Sequence, residues 1–206
     1  MLTRIICVAI GYVFGLFQTS YIIGRMHGID IRDHGSGNAG TTNMLRTMGT
    51  KAGLLTFFGD CLKCILAIVL VRFCFGKTHA DMLALLEMYA AAGVILGHNF
   101  PFYLGFKGGK GIATTGGVIF AFHWQLGLVC AAVFLIITAI SKYVSLGSIC
   151  MVLIIPFILY FNNPHDWKLV IVGCIFTAMA IWRHRANIGR LMNGTENKLG
   201  QKVGGT

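Results

Sequence analysis

Seven apolar runs set the rhythm of this chain, at residues 5–23, 53–75, 82–96, 112–123, 126–140, 146–161 and 169–182. About 20 residues of α-helix cross a hydrocarbon core of about 30 Å. The pattern therefore predicts an all-α polytopic membrane protein of about seven transmembrane helices. The run at 112–123 is the shortest and is expected to be a tilted, re-entrant or partial span. No polar linker is long enough to separate two domains, so a single bundle over residues 1–206 is expected. The N-terminal run has the look of a secretory signal, but no small-residue cleavage motif follows and further spans do, so it is read as the first membrane helix.

Polar residues inside apolar runs break this pattern. Gln18, Thr19 and Ser20 lie in the second half of the first run and are expected to face the bundle interior. Asp60 and Lys63 are spaced i, i+3 and share a helix face. A structural ion pair is read slightly ahead of direct catalysis for them. Cys61 and Cys64 form a CxxC without further ligands at matching depth, so packing is expected and no metal.

Composition agrees with the membrane assignment. Of 206 residues, 56% are hydrophobic and 12% charged, against about 25% charged in a soluble domain. Seven cysteines, an odd number lying in or beside apolar runs, give no disulfide framework. The net charge of +10 is spread over short loops, which suits membrane orientation and anionic substrates better than nucleic acid. When the runs are threaded alternately, twelve Lys and Arg fall on one side and four on the other, with Lys63 inside a span. The richer side includes Arg25, Arg32, Arg46, Lys107, Lys110, Lys142 and the tail from Arg183 to Lys202. The positive-inside rule makes that side cytoplasmic, with the N-terminus outside and the C-terminus inside.

The candidate chemistry falls on that side. Residues 97–115, GHNFPFYLGFKGGKGIATT, interrupt the apolar pattern with five glycines, two lysines, a histidine and an asparagine. Glycines let backbone N–H groups approach an anion, and Lys107 and Lys110 carry charge that a phosphate would neutralise. Residues 34–49, HGSGNAGTTNMLRTMG, place Ser36, Asn38, Thr41 and Asn43 among Gly35, Gly37 and Gly40, followed by Arg46. This is the pattern of a glycine-rich turn feeding a helix N-terminus, with an arginine for bidentate phosphate contact. In the tail, His184, Asn187 and Ile188 share a helix face and Arg190 follows. His98 and His184 are candidate general bases, and Ser36 a nucleophile or hydrogen-bond donor. GFKGGKG is not a Walker A loop, and no acidic cluster suggests Mg²⁺. A transporter for a phosphate-bearing anion is the alternative to an enzyme.

GSGNAGTTN with Arg46, GHNFPFYLGFKGGKGIAT, YVSLGS and RHRANIGRLMNGTENK occur in this order and cover nearly the whole chain. They strongly resemble the bacterial PlsY family of membrane-integral acyl-phosphate:glycerol-3-phosphate acyltransferases. The resemblance implies a seven-helix fold with a cytoplasmic active site in the inner membrane. It implies transfer of a fatty acyl group from acyl-phosphate to the 1-hydroxyl of sn-glycerol 3-phosphate, giving lysophosphatidic acid. It also implies no cofactor, and functional coupling to the enzyme that makes the acyl-phosphate. Carried over by motif, the functional residues are Ser36, Gly37, Asn38, Gly40, Thr41, Asn43 and Arg46, then His98 and Asn99. Lys107, Gly108, Gly109, Lys110, Gly111 and Thr114 follow, and then His184, Asn187 and Arg190. None of the seven histidines has an aspartate five positions on, unlike the His-x4-Asp acyltransferases. The chain departs from the family at Leu16, Phe17 and Gln18, where Ser-Ile-Pro is common and bears on a kink in the first helix. It departs again at Cys64, where Gly is common.

Overall fold

The computed structural model describes residues 1–164 and 166–201. Lys202, counted above with the tail, lies outside the described residues. The fold is all-helical, as the pattern predicts. It resolves into two compact units, residues 1–123 and 124–206.

In the first unit, α1 (Leu2–Gly15) and α2 (Thr19–Met26) together make one apolar segment broken at residues 16–18. The short α3 (Thr41–Met48) leads into α4 (Thr50–Phe75), α5 (Leu83–Asn99) and α6 (Ile112–Phe122). The second unit holds α7 (Trp124–Ser141), α8 (Val144–Leu153), α9 (Ile155–Asn162), α10 (Trp167–Arg183) and α11 (Arg185–Met192). Pro156 opens α9, where its missing N–H costs nothing. Among the described residues, five segments are long and apolar enough to cross a membrane: Leu2–Met26, Thr50–Phe75, Ala80–Leu104, Trp124–Ser141 and Val144–Asn162. The α10–α11 pair, bent by 59°, makes a sixth if taken as one span. At 11 residues α6 is about 16 Å long, well short of a crossing.

Small residues let α1 and α5 lie almost backbone to backbone. Gly11 and Gly15 on α1 and Gly93 and Gly97 on α5 form two facing GxxxG patterns. A Cβ at Gly93 would sit 2.7 Å from Tyr12 N, one at Gly11 2.9 Å from Val94 N, and one at Gly97 3.0 Å from Gly15 Cα. Helices α4 and α5 are joined by a bidentate pair, Arg72 Nε to Glu87 Oε1 at 2.7 Å and Nη2 to Oε2 at 2.9 Å.

The first helix kinks without proline. Gln18 at the break is fully buried and its Nε2 donates to Gly15 O (3.1 Å), Gly97 O (3.3 Å) and His98 O (3.1 Å). The amide thus serves carbonyls that a continuous helix would serve with its own N–H groups.

Gly93→Leu is expected to destabilise the protein by about 3 kcal/mol, because neither backbone can retreat. Gly116→Ala, with nothing within 4 Å of its Cβ, should be neutral or stabilising by up to about 1 kcal/mol. Thermal denaturation of both variants in detergent checks the contrast.

Candidate active site

The two glycine-rich segments meet. Arg32 Nη1 donates to Leu104 O at 2.9 Å, and a Cβ on Gly109 would lie 2.8 Å from Ala39 O. Asp30 holds the arginine fork, its Oδ1 3.0 Å from Arg32 Nε and its Oδ2 2.7 Å from Arg32 Nη2. Those hydrogen bonds hold the Asp30 carboxyl down at about 2.

The central loop is shorter than the composition suggests. Gly97, His98 and Asn99 form the last turn of α5, and α6 begins at Ile112, leaving residues 100–111 between them. The helix runs on where neighbouring helices meet the polar groups of its last turn, Gln18 serving Gly97 O and His98 O and Lys63 meeting His98 Nδ1. The glycines also work differently from expectation. The N–H groups of Gly108 and Gly109 donate to Asn99 O (3.2 Å) and His98 O (3.1 Å), and those of Gly37 and Gly40 donate to His34 O and Asn38 O, both at 3.0 Å. These N–H groups are therefore spent on carbonyls of the last turn of α5 and of the first loop rather than presented to an anion. What the glycines provide is close approach: a side chain at Gly109 would overlap His98 Nε2, and one at Gly108 would overlap His98 O.

His98 is buried, and its Nδ1 lies 2.8 Å from Lys63 Nζ. Lys63 also reaches Asp60 Oδ1 at 2.9 Å and Phe17 O at 2.8 Å. Asp60, Lys63 and His98 thus form one buried cluster, where the sequence suggested only an i, i+3 pair.

Asn43 is buried and holds the first loop. Its Oδ1 accepts from Ser36 N at 2.8 Å, while its Nδ2 donates to Ile31 O (3.0 Å) and His34 O (2.9 Å). Its amide ties the loop from Ile31 to Ser36 to the first turn of α3. Ser36 and Lys107 are exposed, Asn38, Arg46 and Lys110 half-buried, and Gly40 and Gly111 buried. Among the described residues, the Thr41 and Thr114 hydroxyls and both polar atoms of Asn99 are buried without a hydrogen-bond partner. Buried polar groups are nearly always paired, so these three expected site residues carry unspent hydrogen-bonding capacity.

In the second unit the tail motif closes on itself. The Glu196 carboxylate accepts from Ser145 Oγ (2.9 Å), Asn187 Nδ2 (2.7 Å) and Arg190 Nε (2.6 Å). Asn187 and Arg190 are thereby oriented by a residue outside the expected set, and the YVSLGS motif joins the tail through Ser145. Burial pushes the Glu196 carboxyl up, but the bonds from Asn187, Arg190 and Ser145 outweigh it and hold it below its ordinary value. His184 is buried between α10 and α11, with Nδ1 2.8 Å from Ala180 O.

A multi-pass helical membrane protein with clustered basic glycine-rich loops is the class that fold and site define. The family model described as glycerol-3-phosphate acyltransferase matches residues 5–194. The chain is 46% identical to the glycerol-3-phosphate acyltransferase of Clostridioides difficile (strain 630), over 96% of each chain. It is also 46% identical to that of Alkaliphilus metalliredigens (strain QYMF), over 93% and 94%. Among solved structures, it is similar to PlsY, an integral membrane glycerol 3-phosphate acyltransferase. The glycerol 3-phosphate form gives a TM-score of 0.86 at 34% identity over 96% of each chain. The lysophosphatidic acid form gives 0.84 at 33% identity over 96% and 95%. The chain belongs to the glycerol-3-phosphate acyltransferase family.

Two predictions follow from the packing. Gly109→Val should lower turnover by about a hundredfold, because displacing the loop from His98 misplaces its neighbours by the order of an ångström; kinetics on the folded variant check this. For Glu196 the folded value lies below the unfolded one. Its stabilisation of the tail is therefore present above the ordinary carboxylate range and lost as pH falls through the lowered value. Hydrogen exchange of residues 185–198 should accelerate on acidification, and Glu196→Gln should remove that pH dependence.

Proposed function

We propose that this chain transfers a fatty acyl group from an acyl-phosphate to the 1-hydroxyl of sn-glycerol 3-phosphate, releasing lysophosphatidic acid and inorganic phosphate. The observation that carries this reading is the meeting of two basic glycine-rich loops, at Ala39 and Gly109, over the buried end of α5. The solved relatives support it, since one is a glycerol 3-phosphate form and the other a lysophosphatidic acid form. These are an acceptor and a product of such a transfer.

Both substrates carry phosphate, and the proposed site answers with cations and small donors. Arg46, Lys107 and Lys110 supply charge, and charge-assisted contacts to phosphate oxygens are the stronger kind. Ser36, Asn38 and Thr41 supply donors from the first loop, and Asn99 and Thr114 from α5 and α6; Asn187 and Arg190 are proposed phosphate contacts of the second unit in their own right. In the transfer, the 1-hydroxyl oxygen attacks the acyl carbonyl carbon, and the bond from that carbon to the phosphate oxygen breaks. The phosphate leaves with the bonding pair. The hydroxyl proton goes to a base, and two groups suit that role. One is a phosphate of the substrates. The other is His184, whose Nδ1 lies 2.8 Å from Ala180 O, an obligate acceptor, so that a neutral ring would carry its hydrogen there and its lone pair on Nε2.

The basic residues crowd one side of the threaded chain. We place the loops and the C-terminus in the cytoplasm and the N-terminus outside, in the inner membrane of a bacterial cell. An enzyme that makes acyl-phosphate is the natural supplier of the donor.

The test is product formation by purified protein in lipid, given glycerol 3-phosphate with palmitoyl phosphate or, separately, palmitoyl-CoA. Lysophosphatidic acid from the acyl-phosphate alone is the expected result. Product from the CoA ester alone would overturn the donor assignment. In the same assay Lys110→Ala should lower kcat/KM more than about tenfold, for loss of a charged phosphate contact of roughly 1.5–3 kcal/mol.

A further inference from the structure

Lys63 has three N–H bonds and three acceptors: Asp60 Oδ1 at 2.9 Å, Phe17 O at 2.8 Å and His98 Nδ1 at 2.8 Å. Asp60 and Lys63 are both buried, so each is the other's nearest counter-charge. An ammonium has no lone pair to offer. The ring nitrogen of His98 that meets it, 3.7 Å from Asp60 Oδ1 and so beyond a hydrogen bond to that carboxylate, is then the one without a hydrogen. In a neutral imidazole the hydrogen then sits on Nε2. That edge of the ring is the one turned toward Gly109, where a Cβ would overlap it, at the junction of the two glycine-rich loops.

We propose that Asp60 and Lys63 are positioning residues that hold His98 in its Nε2–H form, so that His98 serves acyl transfer as a hydrogen-bond donor to a negatively charged substrate oxygen and not as the general base. The proposal rests on the acyltransferase reading above and assigns a task to a pair which that reading leaves unused. A donor fixed in this way needs no reorientation when negative charge collects on a substrate oxygen. Lysine suits the positioning role because it can only donate. A carbonyl or carboxylate in its place would select the opposite tautomer, as Ala180 O does for His184. Asp60 supplies the counter-charge that lets an ammonium persist inside a span.

The experiment uses the full chain in lipid nanodiscs with ¹⁵N-labelled histidine, assigning the His98 signals by their loss in His98→Gln. The expected spectrum has an unprotonated, pyridine-type Nδ1 and a protonated, pyrrole-type Nε2. The double substitution Asp60→Asn with Lys63→Met, which leaves no lone buried charge, should shift the signals toward the other tautomer. It should also lower kcat by about tenfold, the size of one lost or misaligned hydrogen bond. In kinetics, His98→Gln sets an amide N–H near the position of Nε2 and should retain activity within about tenfold of wild type. His98→Asn, whose shorter amide reaches only the Nδ1 position, should lose about a hundredfold or more. A protonated Nδ1 in the wild-type spectrum would overturn the proposal. So would equal loss in the Gln and Asn variants, which is the behaviour of a missing base. The tautomer is read without turnover. If wild type gave no lysophosphatidic acid, the acyl-phosphate reading would fail while the spectrum still decided how His98 is held.

Discussion

A lysine ammonium inside a bilayer needs an acceptor for each of its N–H bonds, and the first unit is arranged so that Lys63 finds them. One comes from its own helix, Asp60, one from the broken first helix, Phe17 O, and one from the end of α5, His98. Removing a single partner from such a buried pair typically costs about 3–5 kcal/mol. Three helices are therefore tied at one polar point. The break in the first helix follows the same rule. Carbonyls exposed where α1 stops need donors, and Gln18 and Lys63 provide them from the side. No proline stands at this break, and the side chains of Gln18 and Lys63 supply the N–H groups that its carbonyls need.

Glycine does two jobs in this fold, and both are matters of distance. Between α1 and α5 it lets two backbones touch, which in lipid substitutes for the hydrophobic drive that water would supply. In the 105–111 loop it lets the chain fold back onto the carbonyls of α5 and press against His98 and Ala39. Neither job presents rows of N–H groups to an anion. The phosphate-handling capacity of the proposed site then rests on side chains: the cations, and the buried Asn99, Thr41 and Thr114, whose polar atoms find no partner among the described residues.

Much of the helical framework could be read from the apolar runs, because a bilayer imposes run length and strict exclusion of charge. The glycine-rich loops stood out for the same reason, as the segments a bilayer would reject. What the pattern could not show was partnership across distant positions. Glu196 is a lone acidic residue in a basic tail, yet it gathers Ser145, Asn187 and Arg190. Gln18 looked like interior polarity, yet it reaches Gly97 O and His98 O, some 80 positions away. Asp60 and Lys63 announced themselves by spacing, but their third member is on another helix. Each of these contacts is set by how helices are stacked, which i, i+3 spacing does not encode. The length of α5 was misread for a related reason. His98 looks like a loop residue until its buried partner, Lys63, is known.

The two histidines that the sequence could not tell apart are separated by what each Nδ1 faces. His184 Nδ1 meets Ala180 O, an obligate acceptor, and His98 Nδ1 meets Lys63, an obligate donor. In a neutral ring these partners favour opposite tautomers, one with a lone pair at Nε2 and one with a hydrogen there. A proton acceptor and a hydrogen-bond donor are different tools in acyl transfer, the first for the attacking hydroxyl and the second for oxygens that carry negative charge. Residue type alone assigns neither role. The partner across the ring from the working nitrogen does, and in this protein that partner is a helix carbonyl in one case and a buried ammonium in the other.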